Sequence, residues 1–491
     1  MFERITPEQA GVDSKNVEKY ITALLKNNCN MHSVLMMKGD KLFAEYYWAP
    51  YDKDTAHRMY SQTKSYVGIA VGLLEEEGKL SLDDTLVSHF PEKIKGEVHP
   101  YIAAQTIRDT LMMCTCGVGN INFLDDPVEL YLNYKTPKFP SGTHWRYDST
   151  GTQVLTALVE KLAGKPMLEY LDEKIFCHLG TFKNAEMLKI ANGVSFGSSA
   201  LVCTPRDMIS FGRFIMNYGV WGGKRLMNEH YLRDATSNLA PHELVNVDGG
   251  YNTYGYGYQI WTTQTGGFFF NGMGGQYMFA DPKTDILFVC TADSQGDVRA
   301  RDFVVSRFYE LIIDEASLTP LPENKSAYAS LEAATNDLKL ITARGDGCSH
   351  LQEKINGKLY VCNENPQGIV KFSLHFDGND NGEFKYTNAQ GDKVLPFGIK
   401  KNVFGKFPQL GYSDEYFRVP TTNCHKYDCA ASGAWLSENV FGLRVQIIDK
   451  YAGNFSCEFA FKGDVVTVTM FKNAEAFLDE YNGLFVATLA D

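Results

Sequence analysis

The sequence predicts an α/β domain followed by an all-β one: a sheet whose middle is interrupted by a long helical insertion, then a β-barrel or sandwich. Three observations carry this reading. Strand patterns stand at both ends of the first 300 or so residues, with helical patterns between them. A Pro-rich stretch, "SLTPLPENKSAYAS", follows. Beyond it, short apolar runs are broken repeatedly by turn sequences. A chain of 491 residues exceeds what one core usually supports, which fits two or three domains.

In chain order, "HSVLMMKGDKLFAEYYW" alternates apolar and polar residues on both sides of Gly39-Asp40, a hairpin signal. From Ser61 to about Gly250 the texture is helical. "KSYVGIAVGLLEEEG" repeats apolar residues at helical spacing and stops at Gly78. "TPRDMISFGRFIMNYG" opens with Thr204, Pro205 and Asp207: a cap, a first-turn proline and a capping-box acid. Asp207 is therefore read as a helix cap rather than a catalytic acid. Strands return in "GGFFFNGMGGQYMFADPKTDILFVCTADS", two β-rich runs joined by the turn Asp281-Pro282-Lys283-Thr284. "VRARDFVVSRFYELIIDEAS" reads as a closing amphipathic helix. The expected division is a first domain over 1–316, a linker over 317–330 and a β domain over 331–491. The last begins with a short helix from about Leu331 to Arg344, and its runs are punctuated by "NENPQG", "DGNDNG", "NAQGD" and "KGD".

Bulk properties exclude several function classes. Net charge is 47 minus 59, or −12, and the basic residues are scattered, which argues against nucleic acid. The apolar run Tyr66 to Leu74 is far short of the ~20 residues a membrane-spanning helix needs. "MFERITPEQAG" carries acids and a proline where an export signal needs an apolar core. Eleven cysteines without framework spacing fit reduced thiols, so a cytoplasmic location is expected. Cys114 and Cys116 lack the two-residue spacer of a redox pair. Cys424, His425 and Cys429 form only a weak metal pattern. No HExxH, P-loop or GxGxxG stands in the right context, so no metal and no cofactor is expected.

The chemistry concentrates in Ser61-Gln62-Thr63-Lys64. A serine hydroxyl needs a base within hydrogen-bonding reach to act as a nucleophile. Residues three apart share a helix face, so Ser61 and Lys64 can meet. Lysine serves as a base only when neutral, which desolvation or nearby positive charge favours. The apolar run Val67 to Leu74 can supply that burial. Alone, Ser-x-x-Lys is short enough to arise by chance in a chain of this length.

The surroundings extend the pattern. "YSQTKSYVGIAVGLLEEEGKLSLDDTLVSHFPE", "TIRDTLMMCTCG", "FPSGTHWRYDSTGTQVLTALVEKLAG" and "NGMGGQYMFADPKTDILFV" occur in this order over about residues 1 to 315. Together they resemble the serine β-lactamase and DD-peptidase superfamily, most closely its class C-like and esterase branch. The resemblance implies an antiparallel sheet flanked by helices, with an all-helical insertion. It implies Ser61 as nucleophile, Lys64 as its base, and Tyr147, which opens Tyr147-Asp148-Ser149, as a proton relay. The family often has Asn where this chain has Ser149, whose hydroxyl lacks the amide's paired donors and acceptor.

The third motif departs further. The branch usually carries Lys or His, any residue, then Gly on a strand edge, whereas this chain has Phe270-Asn271-Gly272. Backbone function needs no particular side chain, so the N–H groups of Ser61 and Met273 are expected to form an oxyanion hole. Gly272, Gly274 and Gly275 would let that strand approach a ligand closely. Ser149, Phe270, Asn271 and Gly272 are the expected substrate-binding residues. Phe268, Phe269, Phe270 and Met273, with Tyr254, Tyr256 and Tyr258, form an aromatic stripe that fits core or an apolar pocket.

The expectation is a serine hydrolase acting on a small ester, amide or peptide. A β-lactamase or DD-peptidase, and a non-catalytic binding protein of the same fold, are the alternatives. The sequence carries no signal for oligomeric state.

Overall fold

The hairpin at Gly39-Asp40 forms as expected, with strands Met31–Lys38 and Lys41–Tyr47. In a computed structural model describing residues 2–119, 125–240, 253–413, 415–417, 424–473 and 478–490, it opens an eight-stranded sheet. The spatial order is Glu3–Arg4, Lys41–Tyr47, Met31–Lys38, Ile286–Ala292, Gln276–Asp281, Phe268–Gly272, Trp261–Thr263 and Thr253–Tyr256. All neighbours are antiparallel except the first pair. Strands from the two ends of the domain therefore meet at Met31–Lys38 and Ile286–Ala292, where Leu35 lies opposite Val289.

Both faces of this sheet are covered, so its strands are apolar at successive positions rather than alternating. Leu35, Met37, Phe268, Phe270, Met278 and Val289 face a core built around helix Thr63–Glu76. Val34, Met36, Phe269, Phe279 and Phe288 face the other way, toward helices Ser14–Lys26 and Val298–Phe308. The insertion supplies helices Thr63–Glu76, Ser149–Ala163 and Pro205–Met216. Thr204 and Asp207 make the reciprocal capping box expected of them, and Asp207 also accepts from the Phe182 N–H at 2.6 Å. The insertion is not wholly helical. His57–Arg58, Leu201–Cys203 and Glu186–Met187 form a three-stranded sheet just before and beside the Ser61 segment. The last part of the expected helical stretch, 241–250, lies outside the described residues.

The helix expected near Leu331–Arg344 instead spans Lys325–Thr335, and the Asn324 side chain caps it by accepting from the Ala327 N–H. It packs on Ser14–Lys26, burying Leu331 in that core. The first compact unit accordingly comprises Met1–Lys339 together with Glu415–Phe417, and the second the remainder from Leu340.

The second unit is a closed β-barrel. A continuous ladder runs from Gly391–Ile399 through Asn381–Asn388, Lys371–Phe376, Tyr360–Cys362, Gly483–Leu489, Val465–Asn473, Ala452–Lys462 and Val440–Ile448 to Cys424–Ser437. Nine antiparallel strands cannot close on themselves without one parallel pair. That pair is Gly398 with Ser432 and Ile399 with Gly433. Val403–Ser413 adds a tenth strand on the first part of Cys424–Ser437. The interior is packed with rings: Phe372, Phe384 and Phe459 stand 5.3 to 6.0 Å apart between centroids.

No described helix is long and apolar enough to cross a membrane. All eleven cysteines are free thiols.

In the first unit a buried carboxylate ties the sheet to the insertion. Glu45, with a side chain 1% exposed, accepts from Arg206 Nε at 2.6 Å and Nη2 at 3.0 Å, from Tyr47 OH at 2.7 Å and from Arg4. Burial alone would raise its pKa, but the two guanidinium groups and the phenol outweigh it and hold the carboxyl at about 2. The folded value lies below the unfolded one of about 4.3, so this stabilisation is complete above pH 4.3 and fades as pH falls toward 2. Glu45→Gln should cost about 3 kcal/mol at pH 7. Chemical denaturation at pH 7 and pH 3 should show the difference from wild type shrinking at the lower pH.

Candidate active site

Ser61 sits in a 3-10 turn, Tyr60–Gln62, that leads directly into helix Thr63–Glu76. Tyr60 holds φ at +48°, a left-handed conformation that costs a bulky residue roughly 1–2 kcal/mol. Its ring is anchored beneath the Arg58 guanidinium, 4.7 Å from the centroid. Arg58 is itself buried between Phe196 and Phe417, and its Nε and Nη2 donate to the Ser199 carbonyl and hydroxyl, each at 2.9 Å. This anchoring turns the chain sharply and leaves Ser61 half-buried at the helix tip, with buried residues on both sides.

Lys64 is 2% exposed. Its Nζ donates to Ser61 Oγ at 3.2 Å and to the Ser198 carbonyl, and it stands 5.0 Å from the centre of the Tyr147 ring. The structure thus brings Ser61, Lys64 and Tyr147 together. Tyr147 is 36% exposed and stacks on Trp261 at 6.0 Å, with Trp145 and Tyr256 behind.

The residue after Tyr147 is the anchor of its helix. Asp148 accepts from the Thr150 and Gly151 N–H groups, at 2.9 and 3.0 Å, and so caps Ser149–Ala163. Its other oxygen accepts from Thr115 Oγ1 at 2.8 Å and Tyr131 OH at 3.3 Å. Burial pushes the Asp148 carboxyl up, and those four donors pull it back. Ser149 is the first residue of the helix and half-buried.

Strand Phe268–Gly272 runs against the nucleophile turn. A Cβ on Gly272 would stand 2.3 Å from the Met59 carbonyl, so only glycine permits this approach. Gly274 and Gly275 then turn the chain at φ +80° and +101°. Gln276 Nε2 holds that turn by donating to the Met273 and Ala292 carbonyls at 3.2 and 2.7 Å. Met273 is 40% exposed and Asn271 half-buried.

Phe270 departs from its expected place. It is fully buried, packed with Tyr66, Phe211 and Phe268, and offers no surface to a ligand. The physical reason is the pleat: Phe268 and Phe270 share the face that covers helix Thr63–Glu76. Most of the aromatic stripe is core as well: Phe268 and Tyr258 on that face, Phe269 and Tyr256 on the opposite one.

Sequence reasoning missed the Ser198 carbonyl, which has no side-chain signature, and Trp261, which "YGYGYQIW" could have suggested as an aromatic neighbour. Among the described residues no three His, Cys, Asp or Glu side chains gather as a metal-binding group. His425 instead lies 3.0 Å from the Asp449 carboxylate.

Comparison with known proteins identifies the family and the fold. The chain is 25% identical over 291 residues to the 6-aminohexanoate-dimer hydrolase of Paenarthrobacter ureafaciens, covering 54% of this chain and 73% of that one. Among solved structures it shares its fold with EstCE1, a hydrolase with promiscuous acyltransferase activity (TM-score 0.50, 15% identity, 62% of this chain and 99% of that one). A penicillin-binding protein homologue from Caulobacter crescentus shares it equally (TM-score 0.50, 15% identity, 63% and 99%). The family model described as Beta-lactamase matches residues 17–306, well over half of the sequence, and the chain belongs to that family.

Proposed function

We propose that this protein is a serine hydrolase that cleaves a small ester or amide through an acyl-enzyme on Ser61. The observation that carries the reading is the 3.2 Å contact between Lys64 Nζ and Ser61 Oγ, with the amine buried against the Tyr147 ring. Burial favours the neutral amine, the form that can act as a base.

In this reading Lys64 takes the Ser61 proton as Oγ attacks the substrate carbonyl carbon. The developing oxyanion rests on the N–H groups of Ser61 and Met273. Tyr147 passes a proton to the leaving oxygen or nitrogen as its bond to carbon breaks. Water then attacks the acyl carbon, and its proton returns through the same groups while Ser61 is released. The catalytic groups all belong to the unit that ends at Lys339, which is therefore assigned as the hydrolase domain.

The substrate class follows from what lines the approach. Tyr147, beside Lys64, and Met273, just past the strand that meets the Tyr60–Gln62 turn, both expose apolar surface, and the position where the resembled branch usually carries Lys or His is a core phenylalanine. Such a mouth favours a neutral, apolar acyl or leaving group over an anionic one. The name of the Paenarthrobacter relative supports an amide as one option. A cytoplasmic site of action is part of the same proposal, resting on the free cysteines.

Ser61→Ala should abolish labelling by a fluorophosphonate and lower kcat on a p-nitrophenyl ester by a factor on the order of 10^4. Lys64→Ala should do nearly as much, and the double variant should lose little more, because the two act as a unit. Full esterase activity in purified Ser61→Ala protein would remove the assignment.

The substrate class is checked by comparing kcat/KM for p-nitrophenyl butyrate and nitrocefin. The ester should be turned over far faster. A clear preference for nitrocefin would establish a β-lactamase instead.

A further inference from the structure

A buried glutamine outside the motifs joins them. Gln259 is 1% exposed and holds φ at +60°, in the left-handed region where glycine is usual. Glycine is used close by: a Cβ on Gly257 would stand 2.2 Å from the Ala235 carbonyl. At 259 the chain instead keeps a long polar side chain in a strained conformation. Such strain costs about 1–3 kcal/mol and persists only where the surroundings over-determine it.

The surroundings do so from three directions. Gln259 Nε2 donates to the Thr110 and Leu111 carbonyls at 3.1 and 2.9 Å, and its own N–H donates to Leu111 at 2.9 Å. These bonds fix it to the end of helix Ile107–Leu111. Its Oε1 accepts from Thr152 Oγ1 at 2.7 Å, one turn into the helix that Asp148 caps. Its carbonyl accepts from Ser65 Oγ at 2.8 Å, on the residue after Lys64. Contact with the nucleophile helix is tight: a Cβ on Gly68 would meet the Tyr258 carbonyl at 2.5 Å and Gln259 Cβ at 3.1 Å.

We infer that Gln259 is a positioning residue: it fixes the helix carrying Ser61 and Lys64 against the helix that follows Tyr147, and so sets the geometry among the three. The inference rests on the proposed roles of those three residues. Ser65 and Thr152 are the two links. The hydrogen bonds of Gln259 run to Ser65, Thr152 and the end of helix Ile107–Leu111, so its effect is on alignment rather than on chemistry. A displacement of about 1 Å far from the reacting atoms can cost 10²-fold in rate.

The test uses the full chain and replaces the links rather than the strained residue alone. Thr152→Val and Ser65→Ala each remove one hydroxyl, while Thr152→Ser and Ser65→Thr keep it. On p-nitrophenyl butyrate the first two should lower kcat by about 10- to 100-fold with KM within about twofold. The hydroxyl-retaining pair should recover most of that loss, and the double variant Ser65→Ala/Thr152→Val should lose less than the product of the single losses. Gln259→Met removes the Thr152 link but keeps the backbone carbonyl that Ser65 uses, so it should lose at least as much kcat as Thr152→Val. The role is overturned if Thr152→Val and Ser65→Ala keep kcat within about twofold of wild type, or if loss of rate follows Tm and is not recovered by Thr152→Ser. Fluorophosphonate labelling of the unsubstituted chain separates the two claims. Labelling at Ser61 with unaltered variant rates removes Gln259 alone, whereas no labelling at Ser61 removes the hydrolase reading and the positioning role with it.

Discussion

Everything in the first unit is arranged around a helix that has no solvent face. From Thr63 to Leu74 every residue of helix Thr63–Glu76 is buried, so it is enclosed on all sides while the turn just before it, at Ser61, stays partly open. The sheet covers one side through Phe268, Phe270 and Met278, and the helices of the insertion cover the others. Enclosure accounts for two features at once. Lys64 is dry because it belongs to this helix, and Ser61 is reachable because it stands just before it. Shifting the helix along its axis would either drown the amine or bury the hydroxyl.

The mouth of the site is stiff for a related reason. Tyr147 lies on a connection between helices, a place where side chains are usually mobile. Here the next residue, Asp148, gathers two backbone donors and two hydroxyls, and Tyr131 shares Gln105 with the backbone of Cys116. With Trp261 and Trp145 behind its ring, Tyr147 keeps half of its surroundings fixed before any ligand arrives. For the relay role proposed for Tyr147, such preorganisation means that no reordering is needed during turnover.

How much of this was legible in the sequence depended on the distance over which each feature acts. The hairpin at Gly39-Asp40, the Thr204/Asp207 box and the Ser61/Lys64 spacing are all local, and the structure places them as the sequence suggests. The Asn324 cap was equally local, but the prolines before it drew the eye to a tether. Phe270 shows a deeper limit. Alternation tells which residues share a face, yet in a strand buried on both faces it does not tell which face meets the ligand. The Glu45 cluster and the Gln259 crossing lie beyond sequence reasoning for another reason. Their partners are separated by up to 161 and 194 positions along the chain, and no spacing rule links them.

The closure of the barrel has a mechanical consequence. Eight of its nine seams are antiparallel ladders, two of them nine residue pairs long, whereas the ninth is the two-residue parallel contact at Gly398–Ile399. In mechanical terms the barrel is a curled sheet held by a clasp. Thermal opening should begin at one of the two shortest seams: that clasp, or the ladder between Tyr360–Cys362 and Lys371–Phe376, which also pairs only two residues. The amides beside Ser432 and Gly433, and those beside Tyr360 and Val361, are therefore the natural places for solvent to enter, and the aromatic interior behind them is the first surface such an opening would uncover.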